Sequence, residues 1–527
     1  MDMKKSSIFQ GIIMAVFAVS LVSCDSYLNK LPDNRMELKS TEEVSKLLVS
    51  AYSERNPAYL LEMYSDNTDE QDNTIWTEAS KFQSQAYNWK DITETNEDET
   101  PQQLWESYYS AVAAANQAIS YIEGLDVTKQ SDCSAQLGEA LLCRSYAEFM
   151  LSVVFCNAYD KTTASKELGI PYPEKPETKV GQQYQRETLA ETYEKIDSDL
   201  QKGMQLVGST YDHPKFHFTP TSAYAFAARF YLYYQKYDKA VEYATKVLGD
   251  APASKLRDWA SWNALSANEQ IQPNAYVSSE EKANLLLQVA YSEWGAIGGP
   301  YLYGDKYSHG KMISDKETLE APGPWGSSAS VFGYNVFSNS ELSKYILRKI
   351  PYSFEYTDIQ TGTGYPHTEY PVFNTDETLL VRAEAYALQG KYTAALSDIN
   401  AELSKFSSSG VQLTLDQIEE FYSSIDYYTP DKPTPKKQFH TSFTIESKTQ
   451  EPLLQCILQL RRIITLGEGF RMQDVKRYGI VIYRRIINSN NELEKVTDTL
   501  TVEDSRRAIQ LPQDVITAGL EPNPRKK

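Results

Sequence analysis

The sequence predicts a mostly helical fold in which helix pairs are separated by large irregular insertions. Three observations carry this. Apolar residues recur at spacings of three and four from Leu104 through Val153, the period that places them on one helix face. Two distant stretches, opening at Tyr224 and at Leu379, repeat one design: an Ala- and Tyr-rich helix, a turn, then Tyr-x-x-Ala. Between them the composition shifts to Gly, Pro and Trp, which suit tight, irregular backbone.

The elements follow in chain order. Met1-Asp-Met-Lys4-Lys5 precedes an apolar run from Ile8 to Val22, closed by Leu21-Val22-Ser23-Cys24. A basic start, an apolar middle and small residues before a cut site describe a secretory signal. The run is roughly 15 residues, short of the ~20 a helix needs to cross a bilayer. Leu-Val-Ser-Cys matches the bacterial lipobox, so residues 1–23 read as a signal peptide and Cys24 as the lipid-bearing first residue. Several acyl chains at ~0.8 kcal/mol per buried methylene hold a protein on a membrane where one chain does not. Residues 24–40 read as a tether.

Residues 41–250 form the first folded region. Thr41-Glu42-Glu43-Val44 opens a short helix, and 53–101 reads as a long irregular segment rich in Asp, Asn and Thr. Leu104, Tyr108, Val112, Ala115, Ile119 and Ile122 line one helix, and Trp105 belongs to its core face. Leu137, Leu141, Tyr146, Phe149 and Val153 continue in a second. Gly169-Ile-Pro171-Tyr-Pro173 must be a loop, and helices follow over 189–207 and 221–248. The Tyr224 and Leu379 units look tetratricopeptide-like, with Ala240 and Ala395 letting two helices pack closely. They lie far outside a regular ~34-residue period, so the chain is not a uniform solenoid. Residues 251–375 read as an irregular, loop-rich binding subdomain, and 376–527 as a C-terminal region containing the second helix pair. Within it, 405–450 is loop-rich, and the stretch from Ser505 onward is extended.

Composition narrows function. The net charge is −19, so there is no basic surface for nucleic acid. Tyrosine is abundant, 38 against 18 Phe and 7 Trp, and pairs an apolar ring with a hydrogen-bonding tip. Cys143 and Cys156 sit in apolar helical runs as small core residues. A disulfide involving Cys133 is possible but unsupported by spacing, and the pairing state of Cys133, Cys143, Cys156 and Cys456 stays open.

Arg471, Asp474 and Arg477, with Glu468 just before, fall at three-residue steps and read as a structural ion-pair network. His213-Pro-Lys-Phe-His217 has a metal-like spacing, but Pro214 opposes a helix and no third ligand follows. Asp66-Asn-Thr-Asp69-Glu70-Gln-Asp72-Asn73 alternates oxygen groups without the Gly and final Glu of a calcium loop, so a solvated loop is preferred. Thr361-Gly-Thr-Gly364 lacks the context of a phosphate loop. No metal or cofactor is expected. Nothing selects a carboxylate pair for glycoside hydrolysis. The aromatic residues of the two irregular stretches remain. Trp76, Tyr87, Trp89, Trp294, Tyr301, Tyr303 and Trp325 are the candidate ligand contacts, because sugar rings stack their C–H faces on Trp and Tyr.

Several stretches together resemble one family. They are Cys24-Asp-Ser-Tyr-Leu28, Trp105-Glu-Ser-Tyr108-Tyr-Ser-Ala-Val-Ala-Ala-Ala-Asn116, Gly138-Glu-Ala-Leu-Leu-Cys-Arg144-Ser-Tyr146-Ala-Glu-Phe149 and Gly169-Ile-Pro171-Tyr-Pro173. The tightest is Leu460-Arg-Arg462 followed by Gly467-Glu-Gly-Phe-Arg471-Met-Gln-Asp474-Val-Lys-Arg477-Tyr-Gly479, and Leu511-Pro512 with Asn523-Pro524 closes the series. In this order the chain resembles the SusD/RagB family of outer-membrane nutrient-binding lipoproteins. The ending Arg525-Lys-Lys527 departs from the Gly-Tyr that members often carry.

The resemblance implies an all-α scaffold of tetratricopeptide-like helix pairs carrying an irregular binding subdomain. It also implies a partner, a SusC-like TonB-dependent transporter over which the lipoprotein sits as a lid, and no catalysis. The resulting expectation is an outward-facing outer-membrane lipoprotein that captures oligosaccharides, or peptides, in a mostly preformed groove. The competing classes are a lipid-anchored glycosidase or peptidase on the same scaffold, and a periplasm-facing assembly scaffold.

Overall fold

A computed structural model of the chain describes residue 38 and residues 40–72, 74–179, 181–266 and 270–525. The signal peptide, Cys24, nearly all of the tether and the last two residues of the C-terminal tail lie outside the described residues. The chain forms two units, Met1–Val44 and Ser45–Lys527. The described part of the first consists of residue 38 and residues 40–44, the last of which begin the helix Thr41–Leu48.

Helices pack mainly against neighbours in chain order. Pro101–Glu123 lies against Ser134–Phe155, which lies against Leu189–Leu206. Pro220–Tyr233 pairs with Tyr237–Leu248, whose other side meets Thr375–Leu388. That helix pairs with Tyr392–Phe406 and also meets Gln450–Ile464. Local chemistry sets the starts. Thr100 Oγ1 accepts from Gln103 N–H with Pro101 at the first helical position, and Thr188 and Glu191 form a capping box. The two tetratricopeptide-like units form as expected. Ala240 and Ala395 are fully buried in the return helices, and the turns use Gln235 and Gly390 at positive φ.

Ser134–Phe155 is buried almost all round, so it forms the centre of the helical layer. It crosses Leu189–Leu206 at glycine. A Cβ on Gly138 would stand 2.3 Å from the Val207 nitrogen, and one on Gly203 would stand 2.8 Å from Leu142 Cγ. Cys133, Cys143, Cys156 and Cys456 are all buried.

The fold is not all-α. Asp69–Gln71 pairs parallel with Ile482–Ile487 and antiparallel with Tyr307–Ser308, and Leu493–Leu500 completes that sheet. A second sheet orders Asn284–Tyr291, Thr363–Asn374 and Ser353–Asp358. Two small hairpins are Pro322–Gly323 with Gly326–Ser327, and Phe337–Asn339 with Lys344–Ile346. The supposedly irregular 53–101 contains the helices Ala58–Tyr64 and Lys81–Tyr87, and 405–450 contains Leu415–Ser424. The C-terminal stretch includes the short helix Gln513–Thr517. These pieces are short and find their partners far away in sequence, so local periodicity carries little trace of them.

A buried ionic lattice joins the sheets to the helices. Asp66 pairs with Arg471 at 2.7 Å, and Glu317 is met by Lys437 at 2.6 Å, Arg485 at 3.0 Å and Arg462 at 3.1 Å. Arg461 bridges Asp474 and Glu384, and Arg477 closes on Glu384. Glu468 pairs with Lys349. The Arg471–Arg477 segment is thereby fastened to the second helix pair through Glu384.

Candidate functional site

The two irregular stretches meet at one surface. From the first comes the backbone around Glu54, whose carbonyl accepts from Tyr291 N–H at 3.0 Å. Arg55 then spans outward, 3.2 Å from Asp98 and with its guanidinium 4.6 Å from the Tyr291 ring centre. Glu97, Asp98 and Glu99 directly precede the cap Thr100 of the helix Pro101–Glu123, which fixes where they stand. Ser80 donates to Glu97 at 3.0 Å.

The second stretch begins where the strand Asn284–Tyr291 ends. Ser292 Oγ shares a hydrogen bond with Tyr370 Oη at 2.9 Å and accepts from Trp294 N–H at 3.0 Å. Trp294 stacks on Tyr59 at 4.8 Å and donates its indole N–H to the Gly467 carbonyl at 2.8 Å. The following loop wraps a buried lysine. Lys344, 2% exposed, donates to the carbonyls of Gly299, Tyr301 and Tyr303 at 3.2, 2.9 and 2.7 Å and lies 2.8 Å from Asp305. Burial pushes the Lys344 ammonium down, and Asp305 opposes that shift. Gly295 is required here, since a Cβ would stand 2.0 Å from the Pro351 carbonyl oxygen.

Held this way, Tyr301 meets Tyr352 edge-on at 5.9 Å, and Tyr303 remains 41% exposed with its hydroxyl 3.4 Å from Glu293. Beside them the second sheet shows a further aromatic pair. Tyr365, 54% exposed, packs edge-on against Tyr291 at 5.6 Å. Burial raises the pKa of Glu293, with the nearby charge of Asp98 adding to it. Burial also raises Asp98, against the pull of Arg55, and raises Glu97. Glu99 is 1% exposed, and burial pushes it up to about 8.

The candidate residues divide. Trp294, Tyr301 and Tyr303 come together at this surface. Trp76 is half-buried on another strap, tied through Thr74 and Ile75 to the Glu341 carbonyl. Tyr87, Trp89 and Trp325 are buried, and that corrects the expectation that their rings are available to a ligand. Tyr87 stacks on Tyr307 at 4.4 Å and donates to the Arg485 carbonyl, and Trp89 donates to the Tyr64 carbonyl beneath the Arg484 guanidinium. Trp325 donates to Ser328 Oγ at 2.9 Å. Arg55, Tyr59, Glu97–Glu99, Tyr291, Glu293 and Tyr352 were not singled out. The acidic triplet before Thr100-Pro101 was the one local signal for them.

The other candidates are tied up elsewhere. His217 Nδ1 lies 2.7 Å from Glu139 while its ring stacks on Tyr211. Asp66 and Asp69 are committed to arginines. Among the described residues no group of three or more His, Cys, Asp or Glu is placed to hold a metal ion. The cavities beside the aromatic cluster measure about 50 Å³, under Tyr146, Tyr370 and Phe470, and about 40 Å³, between Trp294, Ile297 and Leu466.

Comparison with known proteins fits this architecture. Residues 26–232 match a SusD-like family described as starch-binding and associating with the outer membrane, and residues 323–513 match the SusD family. The chain belongs to the SusD/RagB family. Solved structures with the same fold include a SusD superfamily protein from Bacteroides thetaiotaomicron at 18% identity and TM-score 0.62, covering 92% of this chain and 100% of that one. A SusD superfamily protein from Bacteroides fragilis aligns at 17% identity and TM-score 0.61, over 91% and 98% of the two chains. A SusD-like carbohydrate binding protein from Bacteroides vulgatus aligns at 16% identity and TM-score 0.57, over 91% and 97%. No curated protein matches the sequence. Among the described residues no helix is long and apolar enough to cross a membrane.

Proposed function

We propose that the chain is an outer-membrane lipoprotein, anchored through Cys24 and facing outward, that binds oligosaccharides and delivers them to a SusC-like TonB-dependent transporter. The observation that carries the binding role is the surface around Tyr303. There, exposed and half-buried aromatic rings from separate segments stand beside hydrogen-bonding carboxylates on a loop fixed by Lys344. Ring faces take the C–H faces of sugars, and the carboxylates take hydroxyls. Family membership and the carbohydrate-binding relative support a glycan over a peptide. The lipobox at Cys24 supports the anchor, and the transporter partner follows from the family.

Purification from the native membrane in mild detergent tests the whole reading. A large β-barrel should accompany the protein, with glycan recoverable from the complex, and isolation of the lipoprotein alone would count against it. Incubating the pure protein with the recovered glycan should give saturable binding without product. Turnover abolished by one carboxylate substitution would instead make it an enzyme.

A further inference from the structure

The second sheet carries aromatic surface beyond the rings around Tyr303. Its outer strand, Ser353–Asp358, forms a hairpin with the start of Thr363–Asn374, and residues 355–363 are exposed throughout. Side chains alternate faces along a strand, so Phe354 and Tyr356 share one face, and Tyr352, just before the strand, continues their series. Through the register of the sheet this is also the face of Tyr370 and Ala290, which pack with Trp294 at the inner end. Tyr352 meets Tyr301 edge-on at 5.9 Å, and Gln270 ties the two, donating to Tyr301 Oη and accepting from Tyr352 N–H at 3.2 Å. Two residues of strand advance roughly 7 Å, which sets the step from Tyr352 to Phe354. Phe354 then meets Tyr356 edge-on at 4.9 Å. Burial raises the pKa of the Tyr352 hydroxyl, and Glu293 and Tyr356 add to it, in keeping with a row that starts at the site and runs outward.

Packing accounts for only part of this row. Pro366 stands opposite Phe354 and Gly364 opposite Tyr356. The Phe354 ring lies over that glycine, where a Cβ would stand 2.7 Å from its Cε1, and a ring covering a cross-strand glycine stabilises the pair. That leaves Tyr356, 58% exposed at the outer end, without a packing role to explain it. Gly364 and Pro366 also raise no long side chain beside the rings, so the row has a flat flank. Such a row discriminates by shape. An extended, ribbon-like sugar chain lays its C–H faces on one ring after another along a straight strand, whereas a coiled chain curves away after the first contacts. We infer that the hairpin is an arm of the binding surface, and that the row from Tyr303 and Tyr301 through Tyr352, Phe354 and Tyr356 selects long, extended oligosaccharides of the β-1,4-linked type over coiled ones. This rests on the oligosaccharide reading above and names the shape of its ligand. Continuity of the row with the Tyr303 surface favours one ligand spanning both over a separate occupant of the hairpin.

The test is calorimetric titration of the full mature protein with β-1,4-linked trimers and hexamers of glucose, xylose and mannose. Maltohexaose serves as the coiled counterpart, and an alternating threonine–valine hexapeptide as a strand suited to the sheet's outer edge. The best β-1,4-linked hexamer should bind about five- to tenfold tighter than its own trimer and than maltohexaose. Tyr356→Ala, an exposed change that spares the fold, should bring the hexamer down to the affinity of the trimer and leave the trimer unaltered. Tyr303→Ala should weaken both. Tightest binding of maltohexaose, or equal affinity for trimer and hexamer, would overturn the inference and leave the oligosaccharide reading standing. A hexamer advantage that survives Tyr356→Ala removes the hairpin from the site. Tighter binding of the hexapeptide than of any sugar, or a dimer in light scattering that Tyr356→Ala abolishes, gives the hairpin to a peptide strand or to a second copy instead. Failure of every sugar to bind overturns both readings.

Discussion

Tyr303 and Trp294 are neighbours in sequence but differ in what removing them should cost. Tyr303 is partly exposed and Trp294 is clasped between Tyr59 and the Gly467 carbonyl. Tyr303→Ala should therefore weaken oligosaccharide binding by about 1 kcal/mol, roughly fivefold, and change unfolding stability by under about 0.5 kcal/mol. Trp294→Ala should cost about 3 kcal/mol of stability as a large-to-small core change, read by urea denaturation. A Tyr303→Ala protein with unaltered sugar affinity would remove that ring from the site. Glu99 gives a pH signature. Its pKa stands at about 8 in the folded chain against 4.5 for the free group, so folding takes up a proton between those values. A raised carboxyl pKa contributes stability below the unfolded value and loses it as pH climbs through the folded one. Glu99→Gln should thus become progressively more stable than the parent from about pH 5 to about pH 8, and parallel stability curves would refute the assignment.

Among elements, the loop 298–305 depends on one side chain. Lys344 satisfies three carbonyls and neutralises Asp305, all within a buried setting. Lys344→Met leaves those groups unpaired and should cost about 3 kcal/mol, with sugar binding lost alongside because the loop carries Tyr301 and Tyr303. Denaturation and calorimetry on the same sample would show whether the two losses travel together. The helix crossing at Gly138 is the counterpart in the scaffold. Gly138→Ala places a methyl group 2.3 Å from the Val207 nitrogen, and the strain of overpacking should lower stability by about 1–3 kcal/mol with sugar binding retained.

Across the whole molecule, the ionic lattice sets the response to acid. Glu317 is held at about 2, against its burial, by Lys437, Arg485 and Arg462, and Glu384 is likewise held at about 2 by Arg461 and Arg477. Depressed carboxyl values contribute stability above the unfolded pKa near 4.5 and lose it as pH falls through the folded one. Stability should therefore fall steeply between about pH 4.5 and about pH 2, and Glu384→Gln should flatten that fall while lowering stability at neutral pH. An unchanged acid limb in the variant would show that Glu384 is not an anchor of the lattice.

Sequence alone determined the parts whose physics is local. Helical periodicity from Leu104 to Val153, the Tyr-x-x-Ala returns at Tyr237 and Tyr392, and the ordered motifs that mark the SusD/RagB family were all legible. The Arg471 to Arg477 steps were readable as structural for the same reason: alternating charges on a short helix seek buried partners. The sheets were not legible, because a three-residue strand such as Asp69–Gln71 exists only through Ile482–Ile487, far along the chain. The site followed the same divide. Aromatic content pointed to two stretches, and within them burial separated Tyr303 from Tyr87, Trp89 and Trp325, since burial is a property of packing rather than residue type. The carboxylates at 97–99 and 293 became a group only when the fold brought a helix start and a strand end to one surface, since charges act through distance in space and not along the chain.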